Sequence, residues 1–318
     1  MSFASNAPNI AGIQFKNQAS APASPASGYV QAYYKGLAAW MKRSDGSASP
    51  FPIPTPGGRL TLTTATPVTT ADVTAAGTLY YTPYQHDIIW LYDGTSDWLP
   101  FQFAELSLSL TGFTNAKPYD IFAYNNSGTV ALEALIWTNA SNRATALVMQ
   151  NGRLVKSGAT TRLYLGTIYM SAASQCDDSV TKRFVWNQYN RAMRPIRRSD
   201  ATASWSLSSA SWRQVRATAT NQVEVVVGVA DTQTHFALSQ MQSGNEAFGG
   251  IGIDSTTPSA VGITCYLYGG VGTSFLDTLL AVGYHAIVMC ERGLTAAAAT
   301  FYGTYTMEQT VLTGWVMQ

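Results

Sequence analysis

Short runs of alternating, β-branched and aromatic residues, each closed by a turn signal, recur about every 8 to 15 residues, a rhythm that restricts the fold more than any other feature. Ile88 to Tyr92 runs into Asp93-Gly94, and Trp98 to Phe103 follows as the second arm of a hairpin. Leu106, Leu108 and Leu110 alternate with serines up to Gly112. Tyr119 to Tyr124 reaches the turn at Asn125–Gly128, with Val130 to Trp137 beyond it, and Ala144 to Gln150 meets Asn151-Gly152. Further on, Val223, Val225, Val227 and Val229 fill one strand face while Val226 lies on the other. Leu279 to Cys290 is apolar on both alternating faces and is predicted to be one strand buried on both sides. Strands punctuated in this way point to sandwiches or barrels and exclude βαβ units.

One segment departs from the rhythm. In Cys176 to Asp200, the residues Asp177, Asp178 and Ser179 suit a helix N-cap, and Val180, Phe184, Val185, Trp186, Tyr189 and Met193 recur at near-helical spacing. Pro195 disfavours helix in the residue before it. A helix over 177–194 is predicted, with Phe184, Trp186, Tyr189 and Met193 mostly buried. Six of the 19 basic residues fall in this stretch, the arginines toward the end that suits the helix dipole.

The expected fold class is all-β: two β-sandwich or jelly-roll-like domains separated by one α-helix, with an extended N-terminal arm. The expected boundaries are an arm with a small hairpin over 1–56, a β domain over 57–175, the helix and basic connector over 176–200, and a jelly-roll-like domain over 201–318. The arm is rich in Ala, Ser, Asn and Pro, so it is expected to order against a partner. The Pro- and Gly-rich run from Phe51 to Gly58 reads as a linker.

At 318 residues and 46% hydrophobic, the chain can bury two cores. Only 12% of residues are charged and the net charge is +1, so no general field draws nucleic acid or a membrane surface. No apolar run approaches the ~18 residues of a membrane span, and the first residues lack the pattern of a signal peptide. Cys176, Cys265 and Cys290 form neither a metal pattern nor a disulfide framework, though Cys265 and Cys290 could pair if adjacent.

Catalytic signals are weak. His86, His235 and His285 are far apart; His86-Asp87 reads as a turn and His285 as a partnered core or interface residue. Asp177-Asp178 reads as capping, and Gly269-Gly270-Val-Gly272 lacks the following helix of a phosphate cradle. No nucleophile elbow, zinc-protease motif or P-loop occurs. The cations between Lys182 and Arg198 could form a nucleic-acid footprint; with net charge near zero, the favoured reading has them bridge the two halves or subunits. The expected contact residues are Lys182, Arg183, Phe184, Trp186, Tyr189, Arg191, Arg194, Arg197 and Arg198. No catalytic residue, cofactor or metal is expected.

Beyond these readings, the pattern Asn17-Gln18, Ala21-Pro22, Pro25, Gly28, Tyr33, Lys35-Gly36-Leu37 and Asp45-Gly46 resembles a module recurrent in tailed-phage fibre and virion proteins, departing from it at Ala38 to Trp40. Residues 59 to about 230 resemble a widespread phage structural protein. The matching motifs include Arg59–Leu62, Thr66–Thr69, Tyr80–Pro83, Tyr124–Gly128, Val155–Ala159, Lys182–Phe184, Trp186-Asn187, Tyr189-Asn190, Arg194-Pro195 and Asn221–Glu224. The resemblance implies a non-enzymatic virion protein, released by lysis, trimeric and tail-fibre-like or host-attaching, with a head decoration or head-fibre protein as the alternative. A tail-associated carbohydrate-active enzyme is the less favoured class. Implied partners are copies of itself, other virion proteins through an arm bearing Asn17, Gln18, Pro22, Pro25, Tyr33 and Trp40, and a host surface glycan; neither nucleic-acid binding nor membrane insertion is implied.

Overall fold

In the computed structural model, which describes residues 18, 20–35, 38–46, 48–50, 54–303 and 310–318, the chain is all-β. Among the described residues the one helical element is a 3-10 turn at Val215–Ala217.

Turn chemistry set by sequence closes the hairpins. Strands Leu147–Gln150 and Arg153–Lys156 pair in register across Asn151-Gly152, whose φ angles of 49° and 84° are the left-handed conformations that a two-residue turn requires. Ile88–Tyr92 pairs with Trp98–Gln102, and Pro118–Asn126 with Thr129–Ile136. In the N-terminal hairpin, Val30–Lys35 pairs with Ala38–Arg43.

Two main cores result. In the first, strands Pro118–Asn126, Thr129–Ile136 and Ala159–Ala172 pack with the small sheet of Gly58–Thr61, Thr78–Pro83 and Leu106–Ser109 around Leu60, Tyr81, Trp90, Phe122, Tyr164 and Trp186. The second lies between two sheets. One carries Gln222–Val227, Gly283–Gly293 and Ala247–Ile253; the other carries Met193–Ser199, Val311–Met317 and Gln233–Gly244, with Gly270–Leu279 on the far edge of the last. Val223, Val225, Ile287 and Met289 from one sheet meet Phe236, Leu238, Leu312 and Val316 from the other, the alternation of a sandwich.

Strand Gln222–Val227 serves both cores. Val223, Val225 and Val227 face the second, while Val226 belongs to the first. A single sheet path therefore runs from Ala159–Ala172 through Gln175–Asp178 and Lys182–Arg183 into Gln222–Val227, the last step parallel, with Lys182 opposite Glu224 and Arg183 opposite Val225.

That path passes through the segment expected to be helical, and the expectation is corrected. Over 177–194 the chain runs through strands Gln175–Asp178, Lys182–Arg183 and Val185–Asn187 into the start of Met193–Ser199, joined by bends and without a helical turn. Arg183, Phe184, Val185, Trp186 and Asn187 are buried in succession, which a one-sided helix cannot do and a strand enclosed on both faces can. Phe184 and Trp186 are buried as expected, Tyr189 is half-buried, and Met193 is 61% exposed, contrary to expectation. Pro195 sits opposite Trp315 on an edge strand, where a missing N–H breaks no ladder. Leu279 to Cys290 is likewise not one strand: Gly270–Leu279 ends there, and Gly283–Gly293 begins after a turn.

Candidate functional site

The basic residues between 182 and 198 converge on the joint between the cores. Asp178 is its centre: Arg183 Nη1 donates to Oδ1 at 2.8 Å and Arg194 Nη2 to Oδ2 at 2.9 Å. Both guanidiniums are almost sealed, with side-chain exposures of 4% and 6%. Further donors go to Pro195 and Thr69: Arg183 Nε and Nη2 to the Pro195 carbonyl, Arg194 Nη1 to the Thr69 carbonyl and Arg194 Nη2 to the Thr69 hydroxyl. Thr69 Oγ1 closes the ring by donating to Asp178 Oδ2 at 3.2 Å. A buried carboxylate with two arginines leaves a net positive pair inside, and burial lowers the pKa of Arg194.

Arg59, from the first core, completes the clasp through main-chain oxygens: Pro67 at 2.9 Å, Asn190 at 2.5 Å and Gln318 at 2.6 Å. Burial, followed by repulsion from Arg194, pulls its pKa down to about 10. The Gln318 side-chain amide in turn donates to the carbonyls of Arg183 and Val226. Asn187 imitates a paired strand residue, accepting from the Leu60 N–H at 2.7 Å and donating back to its carbonyl at 3.2 Å. Asn190 holds the carbonyls of Pro56 and Gly58.

The other expected contact residues lie around this centre. Lys182 Nζ reaches Asp177 Oδ2 at 3.3 Å, and Asp177 Oδ1 accepts from the Ala75 N–H, so neither acid is a helix cap. Phe184 meets Tyr169 edge-on at 4.9 Å, and Tyr169 stacks on Tyr284 of the second sandwich at 4.5 Å. Trp186 stacks on Tyr164 at 6.2 Å and lies under the Arg191 guanidinium at 4.5 Å. Arg191 also pairs with Asp231 at 2.5 Å. Arg197 donates its N–H to the Val180 carbonyl, and Arg198 Nη2 donates to Thr220 at 3.0 Å. Gly228 lies against the rings: a Cβ there would stand 2.3 Å from both the Trp186 ring and the Tyr164 hydroxyl, so only glycine fits.

Of the arm residues, Asn17 lies outside the described residues. Gln18 donates its N–H to the Tyr34 carbonyl at 2.8 Å, and Pro22 and Pro25 are half-buried. Tyr33 and Trp40 stack at 6.4 Å and are buried in the first core of the same chain, which leaves Tyr29, Val30 and Tyr34 as the exposed large groups of the hairpin.

Elsewhere, buried acids are also held by arginine. Asp120 pairs with Arg143 at 2.7 Å, Glu291 with Arg213 at 2.8 Å, and Asp200 with Arg216 at 2.9 Å. Burial pushes the carboxyls of Asp120 and Glu291 up. Burial also works upward on Asp200, but hydrogen bonds from Asn221, the Thr202 N–H and Arg216 outweigh it and hold the pKa at about 2. His86 Nδ1 accepts the Ile88 N–H in a turn, His235 pairs with Asp277 at 2.7 Å, and His285 bridges Asp254 and the Ala281 carbonyl. All three cysteines are buried and unpaired, and burial pushes the Cys290 thiol up to about 12. Among the described residues no cluster of His, Cys, Asp or Glu is placed to hold a metal ion.

Sequence reading found the arginines of the joint but missed Arg59, Asp178 as their acceptor, and the roles of Asn187, Asn190 and Gln318. A lone arginine inside the strand-like run Arg59–Leu62 was the available signal.

On the outer face of the second sandwich, Tyr266, Phe248 and Arg292 lie side by side across three strands, with Trp212 beyond. The Arg292 guanidinium sits 4.6 Å from the Phe248 ring centre and 5.1 Å from that of Trp212.

No family model matches the chain, and no curated protein matches it. Among solved structures, an exo-beta-1,3-galactanase from Phanerochaete chrysosporium with galactose aligns at 11% identity over 96% of this chain and 97% of that chain, with a TM-score of 0.19. A variant of that enzyme with beta-1,3-galactotriose aligns at 10% identity over 98% of each chain, with a TM-score of 0.15. Scores of this size establish neither a shared fold nor an activity.

Proposed function

We propose that this chain is a non-enzymatic structural protein of a tailed-phage virion, fibre-like and homotrimeric, anchored by its N-terminal arm and presenting its C-terminal sandwich outward. The observation that carries the reading is the joint. Arg59 from one core, Asp178 between them, and Arg183, Arg194 and Gln318 beside the other are tied in one buried network. A part that passes force from an anchor to a distal face needs its units fused. Such a network does this, because its hydrogen bonds across the joint must all break together when the cores separate.

Two further features support the polarity. The arm's hairpin plugs Tyr33 and Trp40 into its own chain and leaves Tyr29, Val30 and Tyr34 outward, an apolar strip suited to a particle protein. At the other end, the row of Tyr266, Phe248, Arg292 and Trp212 offers ring faces and a cation for stacking on host sugars.

Deleting residues 1–27, which leaves the hairpin with Tyr33 and Trp40 and the Pro56 carbonyl in place, tests the reading. Purified particles should contain the full chain and lack the shortened one, while the shortened chain keeps the β-sheet spectrum of the whole protein. Normal incorporation of the shortened chain, or absence of the full chain from particles, refutes it. Particles that lack the protein and lose DNA at lower temperature, yet adsorb normally, would place it on the head as a decoration protein.

A further inference from the structure

We infer that a pocket beside the joint, between Lys182 and Arg198, binds a sugar that carries an anionic group, a carboxylate or a phosphate. Its place follows from the topology. Strand Lys182–Arg183 runs parallel to Gln222–Val227, with Lys182 opposite Glu224. Arg198, on strand Met193–Ser199, reaches Thr220 in the turn before Gln222. The hollow between these elements measures about 280 Å³. That is close to the lower end of the ~300–1,000 Å³ usual for small-ligand sites. Apart from Ala219, every lining residue is polar: Thr181, Lys182, Arg198, Thr220, Gln222 and Glu224.

The two cations offer more donors than the chain itself uses. Among the described residues Arg198 meets no carboxylate: Nη2 donates to Thr220 Oγ1 at 3.0 Å, and Nε has no acceptor. A guanidinium without an acid of its own chain can take one from a ligand, because its planar fork matches a carboxylate or a phosphate. Lys182 Nζ donates to Asp177 Oδ2 at 3.3 Å, which leaves two of its three protons for other acceptors. Glu224 is the one acid of the lining. Its Oε1 accepts from Gln222 Nε2 at 2.9 Å and from the Tyr284 hydroxyl at 2.7 Å, and Oε2 remains to accept from a ligand. Two cations against one carboxylate favour an anion, while Glu224 Oε2 and the hydroxyls of Thr181 and Thr220 suit ligand hydroxyls. Nothing in the lining offers an apolar ligand a surface beyond the Ala219 methyl. A polyol bearing a negative group matches every one of these partners.

The pocket shares no residue with the row of Tyr266, Phe248, Arg292 and Trp212, and its test needs no particle, so it stands or falls apart from the virion role. The experiment is isothermal titration of the purified full chain with four probes: glucuronate, glucose 6-phosphate, glucose and inorganic phosphate. Wild type should bind glucuronate or glucose 6-phosphate on the order of tenfold more tightly than glucose. The tighter of the two identifies the anionic group. Arg198→Gln should weaken that binding by on the order of tenfold, and raised salt should weaken it further, whereas Lys42→Gln on the N-terminal hairpin should leave it unchanged. Thermal melting checks that each variant is folded. Lys182→Gln, whose side chain is 37% exposed, takes the place of Arg198→Gln if that variant does not fold. No binding of either charged sugar, glucose bound as tightly as both, or affinity unchanged in the folded pocket variant overturns the inference. Inorganic phosphate bound as tightly as glucose 6-phosphate, with glucuronate no tighter than glucose, overturns the assignment to a sugar.

Discussion

Rings fill the first core: Tyr81 stacks on Phe103 at 5.0 Å, and Phe122 tilts against Tyr164 at 5.9 Å, while Arg153 and Arg162 cover the rings of Trp98 and Tyr124 at its margins. The second core is aliphatic, with Val223, Val225, Leu238, Ile287 and Leu312 packed around Phe236. Large rings bury much area from few positions and tolerate irregular pairing, so the first core can be assembled from short strands such as Gly58–Thr61 and Leu106–Ser109. Aliphatic side chains fill space only if every second residue of long strands points inward, as in Gln233–Gly244. Between two such unlike cores lies a buried polar joint. The shared strand Gln222–Val227 offers the first core Val226, and the clasp around Asp178 adds a buried polar connection to the ring contacts at Tyr284 and Gly228.

Breaking the joint should have the largest effect. Asp178→Ala leaves Arg183 and Arg194 buried without their acceptor, at a cost of about 3–5 kcal/mol. Urea unfolding followed by tryptophan fluorescence, which reports mainly the first core, should then separate from far-ultraviolet circular dichroism, which reports both. Coincident curves would mean that the cores stay coupled without Asp178.

Overpacking the contact between the cores comes next. Gly228→Ala presses a methyl group against Trp186 and Tyr164, which costs about 1–3 kcal/mol. Near-ultraviolet dichroism should change with the loss of stability. An unshifted melting temperature would show that the rings have room.

Acid should act on the two regions with opposite sign. Asp200, beside the second core, has a folded pKa of about 2, below its ordinary value of 3.8. Its contribution is therefore present above about pH 4 and lost as pH falls through about 2. Asp120, in the first region, is raised by burial, so its contribution is present below its ordinary value and lost as pH rises through the folded one. Melting temperatures between pH 2 and pH 6 should fall less steeply on the acid side for Asp200→Asn than for wild type. Parallel curves would remove Asp200 from the account.

The smallest effect belongs to the rim. Arg191→Ala removes a pair with the partly exposed Asp231 and a cover over Trp186, and should cost less than about 1 kcal/mol by thermal melting. A larger loss would make Arg191 part of the clasp.

What could be read from sequence follows from the range of each interaction. The hairpin at Asn151-Gly152 was legible because its cause is local: two adjacent residues adopt positive φ. So was the two-faced strand at Val223 to Val227, through its alternation. The false helix arose because Phe184, Val185, Tyr189 and Met193 fit a helical spacing, while the enclosure of both faces of Val185–Asn187 comes from residues far along the chain. The clasp was hidden for the same reason, since Arg59 finds its acceptors at Asn190 and Gln318. Basic residues in a row announced a contact but not its acceptor, and Asp178 read as a cap because adjacent acids suit that role.

Immunogold labelling of intact purified particles tests the central claim most directly, with one antibody against the outer face around Phe248 and Arg292 and another against the arm. The account expects gold from the first antibody on every particle and from the second only after particles are disrupted. Arm epitopes open and sandwich epitopes hidden on intact particles, or no gold from either antibody before or after disruption, would contradict it.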